Sequence, residues 1–153
     1  MKTNSLQTFV YLIALLAVSC NPGPKPIDYG SDTCHYCRMT IVDRQHGAEL
    51  VTNKGKVYKF DSVECMVNSI QEVGAANIAH YLCNHYIEPG EFINAPESTY
   101  LISEALPSPM GANLTAFPDE TVAGQAQEIH GGKLYDWASL LAHLKNMNFV
   151  YHE

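Results

Sequence analysis

Six consecutive residues, Cys34-His35-Tyr36-Cys37-Arg38-Met39, gather two thiols, a thioether and an imidazole. Sulfur donors of this kind suit a soft metal ion, copper(I) first and zinc second. The Cys-x-x-Cys spacing also occurs in thiol-redox sites, where the first cysteine opens a helix whose dipole lowers its pKa. Arg38-Met39-Thr40-Ile41-Val42 has no amphipathic helical pattern, so thiol exchange is disfavoured here. Methionine separates the two metals, because a thioether is a poor ligand for zinc and a good one for copper(I). Met39 lies in a polar stretch two residues from Cys37, and Met110 lies in a proline turn, Ser108-Pro109-Met110-Gly111. Neither serves a helical stripe, so both are candidate copper ligands beside Cys34 and Cys37. Met66 does fall on such a stripe and reads as core.

Further donors are Cys65, Cys83 and the histidines. Cys65 joins the candidate ligands, although a lone cysteine inside a helix is most often a small buried hydrophobe. His35 lies inside the first motif, and His46 and His85 are weaker additions. His80 and His85 flank Cys83, and His152 reads as incidental. The competing account treats the four cysteines after Cys20 as an exported disulfide set, with Cys34–Cys37 or Cys65–Cys83 oxidised. In that account the chain is an interaction domain stapled by disulfides or zinc, with no copper role. No catalytic signature is present. There is no nucleophile elbow, no phosphate-cradling glycine loop and no distinctive carboxylate pair, so the expectation is a binding module and not an enzyme.

The elements that must position these residues follow in order. Thr40-Ile41-Val42 is a brief strand candidate. Residues 48–52 and 56–60 read as a hairpin around Asn53-Lys54-Gly55. Asp61 with Glu64 three residues on is a capping signature for a helix over residues 62–73, ended by Gly74. Residues 78–87 alternate as a strand, residues 100–102 form another, 114–117 another, and 121–129 form a helix. Gly132-Lys133-Leu134-Tyr135-Asp136 echoes Gly55-Lys56-Val57-Tyr58 and Asp61, and leads into a helix over 137–146 capped by Asp136. That echo suggests an internal repeat in which Met39 and Met110 hold comparable places. The expected class is α+β, two similar ββα(β) halves packed together, over residues 34–95 and 96–153.

The first residues read as an export signal. Residues 9–18 form an apolar run too short to span a bilayer, and Leu16-Ala17-Val18-Ser19-Cys20 has the small residues and cysteine of a lipobox. Residues 1–19 are thus expected to be removed, with lipid attached to Cys20. Residues 20–33, rich in proline, read as a flexible tether to a membrane that the domain does not span. The net charge of −7 and the lack of a basic cluster argue against a nucleic-acid partner.

Taken in order, the lipobox cysteine, Cys34-x-x-Cys37-x-Met39, the Gly55-Lys56-x-Tyr58-x-Phe60-Asp61 strand leading to Cys65, and Ser108-Pro109-Met110-Gly111 followed by Ala116-Phe117 resemble the NosL lipoprotein family. The resemblance implies two similar ββαβ halves. It also implies a copper(I)-binding accessory of nitrous oxide reductase, which hands copper to an ABC-type maturation transporter and its periplasmic partner. The expected address is a bacterial cell-envelope membrane, facing the periplasm. Carried over, the family's CxxCxM motif falls on Cys34, Cys37 and Met39, its PMG motif on Met110, and its lipid site on Cys20.

Overall fold

A computed structural model describes residues 23–147. Cys20, the expected export signal and His152 lie outside the described residues. Among the described residues there are two antiparallel sheets, three α-helices and two short 3-10 turns. β1 (Ala48–Thr52) and β2 (Val57–Phe60) form the expected hairpin, in which Gly55 takes the positive φ that its turn requires. α1 (Val63–Val73) follows, then β3 (Ile78–Asn84) and the short β4 (Phe92–Asn94). The first sheet runs β2-β1-β3-β4. β5 (Thr99–Ile102), β6 (Leu114–Phe117) and β7 (Lys133–Tyr135) form the second sheet in the order β6-β5-β7, with α2 (Glu120–His130) between β6 and β7. α3 (Trp137–Asn146) closes the described chain, capped by Asp136 as expected and reinforced by Ser139 in a capping box. Among the described residues no helix is long and apolar enough to cross a membrane.

The two halves are similar, and each is a ββαβ unit whose first strand sits in the middle. The equivalent elements are not those the sequence echo pairs. β7 matches β3 in its sheet position, whereas the echo pairs Lys133-Leu134-Tyr135 with β2. The true counterparts of β2 and α1 are β6 and α2, and α3 is an addition to the repeat. Met39 precedes β1 while Met110 lies between β5 and β6, so the two methionines are not equivalent.

Strand alternation distributes the core. Tyr100 and Leu114 face the main cluster with Leu50, Phe60, Met66, Leu140 and Leu144, which joins both halves. Leu101 and Phe117 face the other way, into a smaller cluster beneath Ala123 and Ala126 of α2.

The segment expected to be a free tether is docked from Lys25 onward. The Lys25 backbone N–H donates to Glu49 Oε1 at 3.0 Å, and Ile27 is buried in the main core. Asn84 donates to the Tyr29 hydroxyl at 2.8 Å, and the Arg44 guanidinium lies 4.5 Å above the Tyr29 ring. Proline excludes helix, but it does not prevent extended chain from burying an isoleucine between exposed neighbours. Of the expected strand at residues 40–42, only Thr40 pairs, in a single bridge to Thr33, while Ile41 is buried.

Candidate metal centre

Two pieces of chain meet at the edge of the first sheet. The first is the loop 34–39, closed on itself by Cys34 N–H donating to the Met39 carbonyl at 2.8 Å and Arg38 N–H donating to the Cys34 carbonyl at 3.1 Å. Arg38 holds a positive φ of 65° to complete the turn, and His35 N–H docks the loop on β2 through the Lys59 carbonyl at 2.8 Å. The second is the junction from β2 into α1. Its helix cap is Ser62, whose Oγ accepts from Cys65 N–H at 3.3 Å. The cap expected at Asp61 is therefore corrected by one residue. A serine directly before the first helical turn has the better reach to the orphan amides, which frees the Asp61 side chain.

That side chain turns to the thiols. Sγ of Cys34, Cys37 and Cys65 and a carboxylate oxygen of Asp61 all lie within 4.8 Å of one another. Cys34, Cys65 and Asp61 are buried, and half-buried Cys37 forms the accessible side. Cys37 Sγ donates to Asp61 Oδ2 at 3.4 Å, while Asp61 Oδ1 is buried with no hydrogen-bond partner. A hydrogen bond from the Cys65 thiol lowers the Cys34 pKa against the opposing effect of burial, and the Asp61 and Cys37 backbone amides assist, bringing it to about 6. Cys34 is thus a thiolate at neutral pH. Donation to that thiolate, with burial, pushes the Cys65 thiol well up. Burial raises Cys37 to about 11, aided by the charges of Cys34 and Asp61. One thiolate, two thiols and a carboxylate with a spare oxygen form a donor set that accepts a cation.

The other candidates divide. None of the four described cysteines is in a disulfide, so neither proposed pairing is formed, and Cys34 neighbours Cys65 across the site. Cys83 lies outside the cluster, buried within sulfur hydrogen-bonding distance of Ser98 and Tyr100. His35 also lies outside it, with Nε2 3.3 Å from Glu72 and its ring 4.6 Å from that of Tyr58. His46 is buried between Asp43 and Thr115, and His85 accepts from Ile87 N–H; both roles are structural. Met39 places its carbonyl in the loop and its side chain, 52% exposed, at the surface. Met110 is half-buried against the main core. Its loop is tied to α1 beside Cys65, because the Ser108 hydroxyl donates to buried Glu64 while accepting from Leu114 N–H at 3.2 Å.

Residues 26–144 match the family model of NosL. The chain belongs to the NosL family. Its fold is similar to that in the crystal structure of the copper chaperone NosL from Shewanella denitrificans, at 23% identity and a TM-score of 0.66. The likeness covers 77% of this chain and 95% of that one. No curated protein matches the chain. Against this NosL-type fold, Asp61 is the site residue that the sequence reading misses. The available signal was Ser62, which makes a second capping residue at Asp61 redundant.

Proposed function

We propose that the chain is a carrier of copper(I), bound as cargo by Cys34, Cys37 and Cys65 with Asp61 beside them. The observation that carries this reading is the convergence of three thiols and a buried carboxylate within 4.8 Å, one thiol being accessible. Thiolates satisfy a soft monovalent ion, and an accessible edge admits the incoming ligand of a recipient, as ligand exchange requires. Met39 at the surface and Met110 on its pinned loop are thioether donors for capture and release. Membership of a family with a copper chaperone of the same fold supports the same cargo here. We extend the reading to lipid attachment at Cys20, a periplasm-facing address, and delivery to the ABC-type machinery that matures nitrous oxide reductase, with no catalytic turnover. The Cys3Asp donor set also favours a second reading, a zinc site, since zinc accepts this combination in tetrahedral geometry.

An anaerobic copper(I) competition titration of the reduced protein, with zinc in parallel, tests the proposal. The expected result is one tightly bound copper(I), a loss of at least about a hundredfold in affinity for Cys34→Ser or Cys65→Ser, and about tenfold for Met39→Leu with Met110→Leu. Preference for zinc would overturn the copper reading in favour of the second. Unchanged affinity in the methionine double variant would remove the thioethers from the site.

A further inference from the structure

The charges are unevenly placed. Of the eight lysines and arginines in the described residues, six lie between Lys25 and Lys59, whereas eight carboxylates lie between Glu88 and Asp136. Four of the six cations, Lys25, Arg38, Lys56 and Lys59, line one open groove beside the metal loop, and His35 lines it too. Asp32 is the only carboxylate on its wall, and Lys59 Nζ neutralises it at 2.6 Å. Lys56, exposed at the hairpin, lies 4.3 Å above the Tyr58 ring, and a neighbouring groove shares both residues and adds Lys54. The patch is therefore cationic with an aromatic floor, on a protein of net charge −7.

Its position relative to the start of the domain supplies the occupant. The chain is clamped at Lys25 by the bond to Glu49. Covalent geometry lets residue 20 lie at most about 18 Å from residue 25. We infer that this groove is a docking surface for the anionic headgroups of the membrane to which Cys20 is attached, so that the metal loop faces the bilayer. The inference rests on the proposed anchor. With so short a link, the face carrying Lys25 is the one held near the lipid, where anionic headgroups attract cations over a Debye length. The acidic second half is repelled by the same surface, so attraction and repulsion set one orientation. The cargo is thereby presented to a recipient embedded in that membrane, not to one diffusing beyond it.

The test uses the full lipidated protein on vesicles of phosphatidylcholine alone or with added phosphatidylglycerol. Lysine acylation rates are read residue by residue by mass spectrometry. Lys25, Lys54 and Lys56 should label about fivefold more slowly on the anionic vesicles, the factor expected for one cation held at such a surface. Lys133 and Lys145 should not change, and added salt should abolish the difference. Free inorganic phosphate should give no protection. Lys54→Glu with Lys56→Glu, both at exposed hairpin positions, should remove the protection of Lys25 while leaving copper(I) affinity intact. Equal labelling on both vesicle types would overturn the inference and leave the groove to an acidic protein partner. Failure of the anchor reads out separately: the intact mass would lack lipid at Cys20 and the protein would leave neutral vesicles. Protection on the anionic vesicles is still measured in that case.

Discussion

Asp61 holds a carboxylate oxygen that is buried and unpartnered, next to a thiolate at Cys34. Two like charges in a dry site are costly, and a cation is what relieves them. Asp61→Asn should therefore weaken metal binding by about ten- to a hundredfold, in the range found for residues that tune ligands. The metal-free protein should be at least as stable as before, because the substitution also removes the repulsion. A competition titration paired with thermal unfolding reads both, and an unchanged affinity would reduce Asp61 to packing. The thiol pKa values give a second expectation. Cys34, near 6, has already lost its proton at neutral pH, whereas Cys37, near 11, and the still higher Cys65 have not. Binding by all three as thiolates must release two protons, so affinity should rise about a hundredfold per pH unit between about pH 7 and 9. A slope of one would mean that one of these two sulfurs stays out.

At the scale of elements, the site is a contact between the loop 34–39 and the start of α1, with the Met110 loop clipped to the same helical turn. Burial raises the Glu64 pKa against the opposing pull of its hydrogen bonds with Ser108 and Ser62, and the Ser108 hydroxyl donates to it across the core. Ser108→Ala should cost about 1–2 kcal/mol of stability, because it leaves Glu64 and Leu114 N–H short of a partner. It should also weaken copper(I) binding in the parent and have no further effect in a Met110→Leu background. Additive losses in that double-mutant cycle would mean that the loop does not act through Met110. The hairpin, α1 and the Asp136-capped helix were legible in the sequence because each carries a local signal: a glycine turn, an apolar stripe, a capping side chain. The register of the repeat was not. A short strand followed closely by an aspartate and a helix recurs at β2 and at β7 for local reasons, whereas the real correspondence is set by sheet order, a long-range property. Asp61 was hidden likewise, since its spacing to Glu64 satisfies a capping pattern that Ser62 fulfils in fact.

At the scale of the whole molecule, both halves share one core, and the N-terminal segment is sewn onto it through Glu49 at the centre of the first sheet. Proline content alone suggested a spacer there; the tertiary contacts of Ile27, Tyr29 and the Lys25 amide are invisible to composition. Glu49 is fully buried, with Oε2 unpartnered, and burial raises its pKa from 4.5 to about 7, against the opposing pull of the Lys25 amide and Lys59. The folded state thus binds this proton more tightly than the unfolded chain. The stabilisation it gives is complete below pH 4.5 and is lost as pH rises through about 7. In urea unfolding of the metal-free protein, stability should accordingly fall between about pH 5 and 8 by on the order of 2 kcal/mol. Glu49→Gln keeps an oxygen to accept from Lys25 N–H and has nothing to ionise, so this contribution should vanish from its profile. Its advantage over the parent should be greatest on the alkaline side. Parallel profiles for the two proteins would mean that Glu49 stays ionised throughout, held by Lys59 and the amide. The clamp on the N-terminal segment would then be a charged one, insensitive to pH over this range.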